Sequence, residues 1–403
     1  MPGNSQTTED IAIRVDGVNV AYQCFILAGE PSADRLGKSV MEALRDKVRF
    51  FGVGGDDMIA EGLDSIAPSH EFTIIGMTQI LKAIPRLSRL ADHLIDEIIR
   101  RRPDAIVTID SKGFSLRFAK RLKKRMAKHG WHAPIIHLVA PTVWCWGKWR
   151  AKPFATVMDK LLCLFPFEPP YFTPYGGVAE YVGHPLFERD IPAKAAARKV
   201  LKLSPDAPVL VLLPGSRKSE IKQLMPVMLE AQQQLKDRYP DLTTILPVSS
   251  HVAPRIKEML GDHKDIRCVA GDSHTMTALA AGDVGIICSG TVTLEAAMTG
   301  LQGVVVYKPD WFSMFIGWLL ADLDQIVLAN VVTKSTLYQL LLWRKVTAKA
   351  LVDAVINGFA HPDQGQKIHQ SMQKVIANRG DQSFGTSAAQ AILSSMADSK
   401  TGD

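Results

Sequence analysis

Several features that mark large protein classes are scarce or missing in this 403-residue sequence. Its five cysteines, Cys24, Cys145, Cys163, Cys268 and Cys288, form no CxxC pair. That excludes a disulfide framework and reads as free thiols in a reducing compartment. Long apolar runs are missing too: the most apolar stretch, Trp311–Leu320, is too short to span a bilayer and is followed by Asp322 and Asp324. The opening MPGNSQTTED lacks the apolar core of a secretory signal and reads as part of a disordered tail. No GxGxxG occurs, which disfavours a nicotinamide or flavin site, and no GxxxxGK[ST], which argues against a P-loop NTPase. HExxH is absent as well. His129 and His132 close a basic helix and read as surface residues, so neither a metal nor another cofactor is expected.

What is present is a packed α/β chain, with 47% hydrophobic and 22% charged residues. The net charge of +6 concentrates in Arg117, Lys120, Arg121, Lys123, Lys124, Arg125 and Lys128. These fall on one helix, either as a solvated face or as an attraction for anionic headgroups. No aromatic platform accompanies them, so no nucleic-acid partner is expected.

Short apolar strands alternate with amphipathic helices. The strands expected in the first half are Tyr22–Leu27, Ala105–Ile109, Ile135–Val139 and Lys160–Leu164; in the second they are Val209–Leu213, Thr243–Pro247, Ile266–Ala270, Val284–Ile287 and Val304–Val306. Two doubly wound, Rossmann-like domains facing across a cleft follow from that alternation. We divide the chain into a tail (1–20), a first domain (21–190), a second (205–345), and C-terminal helices (346–403) that pack back on the fold.

In such sheets ligands bind at the carboxyl ends of the strands. Two turns of the second domain have the chemistry for a nucleotide diphosphate. In the first, Gly215-Ser216-Arg217 leads into a helix carrying Glu220; in the second, Ser289-Gly290-Thr291 is followed by Glu295. A helix N-terminus offers backbone N–H groups to an anion, and arginine adds a fixed fork of donors. Ser289 or Thr291 is suited to cap its helix, and Glu295 to accept from ribose hydroxyls. In the first domain, Asp110 ends an apolar strand, either as a reactive carboxylate or as a loop cap. Trp144 and Trp146 suit either a sugar or acyl pocket or the core.

Together and in order, GEPSAD, FGVGG, IIGMTQILKAIP, PDAIVTIDSKGFSLRFAKRLKK, HLVAPTVWCW, FPFEPPYF, YVGHPL, LLPGSRKSEI and SGTVTLEA resemble the lipid-A-disaccharide synthases from about Ile26 to about Leu328. The resemblance implies a GT-B fold, a UDP-sugar donor, a lipid-linked sugar acceptor and no metal. The implied reaction joins UDP-2,3-diacylglucosamine to 2,3-diacylglucosamine 1-phosphate, at the inner face of the cytoplasmic membrane. The family's catalytic aspartate maps onto Asp110, its acidic residue in the GEPSGD motif onto Glu30, and its diphosphate arginine onto Arg217. Ser32, Asp34 and Trp144 fall on the acceptor side. A homodimer through the C-terminal helices is compatible with the resemblance. Three further readings stay open: a divergent paralogue transferring a sugar to another lipid, a UDP-sugar epimerase or hydrolase, and a non-catalytic nucleotide- or lipid-binding protein.

Four departures stand out. GEPSGD has Ala33 in place of its second glycine; the usual IDAPDFN reads IDSKGFS, so Gly113 replaces its second aspartate. In the tail motif Asn330 survives, but Leu340 and Trp343 stand where the family has Glu and Gln. Neither accepts a hydrogen bond, so weakened or shifted donor use is expected. Separately, Ile74, Ile75, Met77, Ile80, Leu81, Ile84 and Leu87 form an apolar stripe beside Lys82, Arg86 and Arg89, suited to a membrane interface or to the core.

Overall fold

The computed structural model describes residues 14–15, 18–19, 22–72, 77–249, 252–261, 263, 265–271, 274–308, 325–378, 380 and 382–401. The chain divides into two compact units. Unit one holds residues 1–143, 148–185 and 381–403; unit two holds 144–147 and 186–380.

A two-stranded ribbon, β1 (Arg14–Val15) and β2 (Val18–Asn19), precedes the main sheet of unit one. That sheet follows as β3 (Tyr22–Ala28), β4 (Val48–Val53), β5 (Asp64–Ser65), β6 (Ala105–Ile109), β7 (Ile135–Leu138), β8 (Lys160–Cys163) and β9 (Ala179–Tyr181). The helices between them are α1 (Pro31–Leu44), α2 (Asp56–Ala60), α3 (Met77–Arg101), α4 (Lys112–Lys128) and α5 (Ala151–Val157). Every pairing in this sheet is parallel, in the order β5-β4-β3-β6-β7-β8-β9. A parallel sheet covered on both faces needs nearly continuous apolar strands. Cys24 to Ala28 and Ile135 to Leu138 are accordingly buried throughout. Gly52 in β4 is required by close approach: a Cβ there would lie 2.0 Å from the carbonyl oxygen of Ile26.

Unit two repeats the plan with α6 (Lys194–Val200), β10 (Val209–Leu213), α7 (Lys218–Arg238), β11 (Thr243–Val248), α8 (Ala253–Leu260), β12 (Ile266–Ala270), α9 (Thr275–Ala281), β13 (Val284–Cys288), α10 (Val292–Thr299) and β14 (Gln302–Tyr307). Then come α11 (Leu328–Thr333), β15 (Gln339–Leu342), α12 (Ala348–Ala360) and α13 (Asp363–Ala377). Its sheet, again parallel, runs β12-β11-β10-β13-β14-β15. Helix α12 packs on this sheet, where Gln302 donates to the carbonyl of Gly358 at 3.0 Å. The last helix, α14 (Phe384–Thr401), returns to unit one, where Lys160 Nζ donates to Ala391 O at 3.1 Å and Ser394 Oγ at 3.0 Å.

The strand order places the sites. In unit one the order reverses between β3 and β6, whose ends pair Ala28 with Ile109. In unit two it reverses between β10 and β13, where Leu213 pairs with Ile287. Such reversals open a crevice at the carboxyl ends of the strands, the usual ligand position in this architecture. Glu30 and Asp110 follow the first pair of strand ends; Gly215–Arg217 and Ser289–Thr291 follow the second.

Candidate active site

In unit one the turn after β6 is strained. Asp110 (φ 52°) and Ser111 (φ 44°) both take left-handed backbone, and Val139, just past β7, has φ 71°. Non-glycine residues hold such conformations only where surrounding bonds over-determine them, and they cluster at functional sites. Here the Asp110 N–H donates to Leu138 O at 3.0 Å, and Ser115 Oγ donates to Asp110 O at 2.9 Å. The Asp110 carboxylate is thereby held at the strand tip, about two-thirds shielded, with Lys112 Nζ 2.5 Å from Oδ1.

Glu30 stands at the N-terminal end of α1, where Pro31 at the first helical position fixes the entry. It lines a cavity of about 790 Å³ with Phe72, Leu87, Lys112, Phe114 and Phe118. Aromatic contacts build its floor: Phe72 meets Phe114 edge-on at 5.0 Å, Phe114 stacks on Phe118 at 5.8 Å, and Phe118 stacks on Phe25 in the core at 5.9 Å. Gly29 admits Phe72, since a Cβ there would come within 2.6 Å of the Phe72 Cβ. Arg117, Lys120 and Arg121 form a basic lip.

That lip divides the basic cluster of α4. Arg121 is tied to Asp92, Lys123 pairs with Asp159 at 2.6 Å, and Arg125 with Asp96 at 2.5 Å. The side chains of Arg117 and Lys120 have no partner among the described residues. Beneath the turn, His137 is fully buried, 2.8 Å from Thr108 Oγ1 and tilted against the Phe154 ring. Burial, reinforced by Lys112 and opposed by Asp110, pushes its pKa down to about 3, so it is neutral at ordinary pH.

Two acceptor-side expectations change. Asp34 is buried, and its carboxylate accepts from the backbone N–H groups of Gly55, Asp57 and Met58 at 2.7, 3.1 and 3.2 Å. It fastens the start of α2 to α1, which leaves it a structural carboxylate rather than an acceptor ligand. Trp144 is buried, 5% exposed, in a segment that groups with unit two, not with the first domain; Trp146 is the exposed one at 42%. Ser32 is exposed in the first turn of α1.

In unit two, Gly215 has φ 99°, and a Cβ there would lie 2.4 Å from Glu220 Oε2. The Glu220 carboxylate accepts from the N–H groups of Ser216 and Arg217, both at 3.2 Å, and from Arg217 Nη1 at 2.8 Å. A carboxylate thus sits where backbone donors, an arginine and the N-terminus of a 21-residue helix converge, an arrangement suited to phosphate oxygens. The Arg217 side chain is 78% exposed.

The turn after β13 differs from expectation. Neither Ser289 nor Thr291 caps α10: Ser289 Oγ donates to Ile326 O at 2.7 Å, and Thr291 occupies the cap position without a side-chain cap bond. Thr293 closes the turn by donating to Gly290 O at 2.7 Å. Gly290 has φ 152° and open space around it, so a ligand can approach the backbone. Glu295 is shielded and pairs with Arg189 at 3.0 Å.

Tyr307, at the end of β14, escaped the sequence reading. Burial raises its pKa, with Arg217 opposing and Glu220 adding, which places the phenol in the field of the anion-binding turn. The Cys288 thiol is pushed up to about 12, chiefly by burial and then by Glu220, so it is not a nucleophile. Leu340 lies within edge strand β15, paired with Val305, rather than in a carboxyl-edge turn. Asn330 holds that region together, donating to Tyr338 O at 2.9 Å and accepting from Leu337 and Tyr338 N–H, both at 3.0 Å. Trp343 follows β15 with φ 47° and lies beneath the Arg344 guanidinium at 4.7 Å. Among the described residues no group of His, Cys, Asp and Glu could hold a metal ion. Ile74 and Ile75 lie outside the described residues, as do the side chains of Met77–Ile84 and the Trp311–Leu320 stretch.

Two doubly wound parallel units, with candidate sites at both switch points, define the GT-B class. The fold is similar to sucrose-phosphate synthase from Thermosynechococcus elongatus (TM-score 0.60, 13% identity, 93% of this chain and 99% of that one). It is also similar to Anabaena HepE in complex with UDP and glucose (TM-score 0.55, 13% identity, 93% and 99%) and to UDP-GlcNAc 2-epimerase from Neisseria meningitidis bound to UDP-GlcNAc (TM-score 0.56, 10% identity, 88% and 98%). The lipid-A-disaccharide synthetase family model matches residues 24–394, and the chain belongs to that family. Lipid-A-disaccharide synthases of Ruegeria pomeroyi and Alcanivorax borkumensis are each 35% identical to it, over 92% and 91% of this chain and 94% and 96% of theirs. The chain is accordingly a hexosyltransferase of lipid A biosynthesis.

Proposed function

We propose that the chain transfers the sugar of UDP-2,3-diacylglucosamine to 2,3-diacylglucosamine 1-phosphate, giving lipid A disaccharide 1-phosphate and UDP. One observation carries the reading: Asp110, held in left-handed backbone at a switch point, adjoins a cavity with an aromatic floor and a basic lip. That lining suits an acylated, anionic acceptor. The reaction is a direct displacement: the acceptor's hydroxyl oxygen bonds to the anomeric carbon as the bond to the UDP oxygen breaks. Asp110 takes the hydroxyl proton, and Glu30 acts beside it from the rim of the same cavity.

For the leaving group, the N–H groups of Ser216 and Arg217, the Arg217 guanidinium and the Gly290 backbone take the diphosphate. Glu220 then yields its place to phosphate oxygens, and Glu295 serves the ribose. We place the enzyme peripherally at the inner face of the cytoplasmic membrane, on the grounds that its substrates carry acyl chains. No helix among the described residues is long and apolar enough to cross a membrane. The test is turnover by Asp110→Asn, expected to lose at least about 100-fold in kcat with the donor KM little changed. Turnover near the wild-type rate would remove Asp110 as the base.

A further inference from the structure

Lys112 and Gly113 replace the Pro-Asp of the family's usual IDAPDFN. The replacement puts an ammonium 2.5 Å from the carboxylate read here as the base, and among the described residues Lys112 is the sole side-chain donor to that carboxylate. The same side chain lines the apolar-floored cavity together with Arg117 and Lys120, neither of which has a side-chain partner among the described residues. Among the described residues its one ion pair is thus with Asp110, on the rim of a pocket that already carries surplus positive charge.

We propose that Lys112 determines acceptor specificity by reading an anionic group on the lipid, and that it releases the Asp110 carboxylate as it does so. This rests on the reading of Asp110 as base and of the cavity as the acceptor site. An ammonium is a compact charge with three donors on a flexible four-carbon stem, so it can leave one oxygen for another nearby without moving the backbone. Over an apolar floor the attraction to a phosphate is less screened than in water. An acceptor carrying phosphate draws Lys112 off Oδ1 and leaves that oxygen open to the attacking hydroxyl. A neutral acceptor leaves the ion pair closed.

The experiment measures acceptor KM and kcat for 2,3-diacylglucosamine 1-phosphate and for the same lipid without its phosphate. Wild type, Lys112→Met and Lys112→Arg are compared at saturating donor. Wild type should favour the phosphorylated lipid at least 10-fold in kcat/KM. Lys112→Met should lose most of that preference with an unchanged donor KM, and Lys112→Arg should restore part of it. The same preference in Lys112→Met as in wild type would overturn the proposal and make Lys112 a fixed clamp on Asp110. Asp110→Asn separates the two readings. Wild-type turnover by that variant removes the base, whereas the preference ratio still reports on Lys112.

Discussion

Arg217, proposed above to hold the diphosphate, has surroundings that say little of that role. Its side chain is 78% exposed and held by Glu220 alone among the described side chains, yet it stands at a helix N-terminus with two backbone donors alongside. Removing a donor that stabilises charge developing on a leaving group typically costs about 10²–10³ in kcat. Arg217→Ala should therefore lose at least about 100-fold in turnover while its Tm stays within about 2 °C of wild type, because an exposed ion pair adds little stability. Steady-state kinetics beside thermal unfolding checks both halves. His137 makes a different prediction. Its pKa is about 3 when folded and 6.5 when free, so the unfolded chain binds more protons between those values. Its contribution to stability therefore falls as pH drops from about 6.5 towards about 3, with a limiting slope of about 1.4 kcal/mol per unit. Urea unfolding of His137→Phe should show a flatter pH profile than wild type over that window, whatever its stability at pH 7.

At the same scale, the places of Asp110, Glu30, Gly215 and Arg217 in the turns after strands were legible in the sequence. Asp110 directly follows an apolar strand and the others lie a few residues past one, and strand ends can be read from pattern. Asp34, Lys112 and Tyr307 were not. Their roles depend on partners brought close by folding: Asp34 on the backbone at Gly55 and Met58, Tyr307 on the field of Arg217, and Lys112 on the left-handed turn that presents Asp110 to it. The same holds in part for the cavity floor: Phe114 and Phe118 sit one turn apart on α4, but Phe72 comes from a separate element and meets Phe114 only in three dimensions.

Among the elements, the turn between β6 and α4 carries the strain. Ser111 at φ 44° is non-glycine backbone in a region that glycine enters without penalty. Ser111→Gly should raise stability by about 1 kcal/mol, read as a rise in the denaturation midpoint. If the strain serves to hold Asp110, the same variant should lose turnover. A stabilised and fully active variant would show the strain to be incidental. The strands were readable because parallel strands buried on both faces are continuously apolar; Ala105–Ile109 and Val209–Leu213 match their expected bounds. The edge strand β15 escaped because it is covered only in part. In β15 Gln339 is exposed and only Leu341 is buried, although Leu340 to Leu342 are all apolar. That strand is also why Leu340 takes a place in the sheet rather than in a turn.

On the scale of the whole molecule, each unit has a candidate site at its own switch point: in one Asp110 beside a cavity with an aromatic floor and a basic lip, in the other the turn of Gly215–Arg217. A peripheral enzyme acting on acylated sugars should bind anionic membrane surfaces. Flotation with phosphatidylglycerol vesicles should carry the wild-type protein, and Ile80→Ser with Ile84→Ser should weaken it; no co-migration of wild type would remove the membrane proposal. The most direct measurement supplies UDP-2,3-diacylglucosamine with and without 2,3-diacylglucosamine 1-phosphate and follows products by mass. Acylated disaccharide 1-phosphate and UDP should appear in equal amounts, only when both substrates are present, and Asp110→Asn should abolish both. UDP released at the same rate without acceptor, and with no disaccharide formed, would contradict the account and make the protein a UDP-sugar hydrolase.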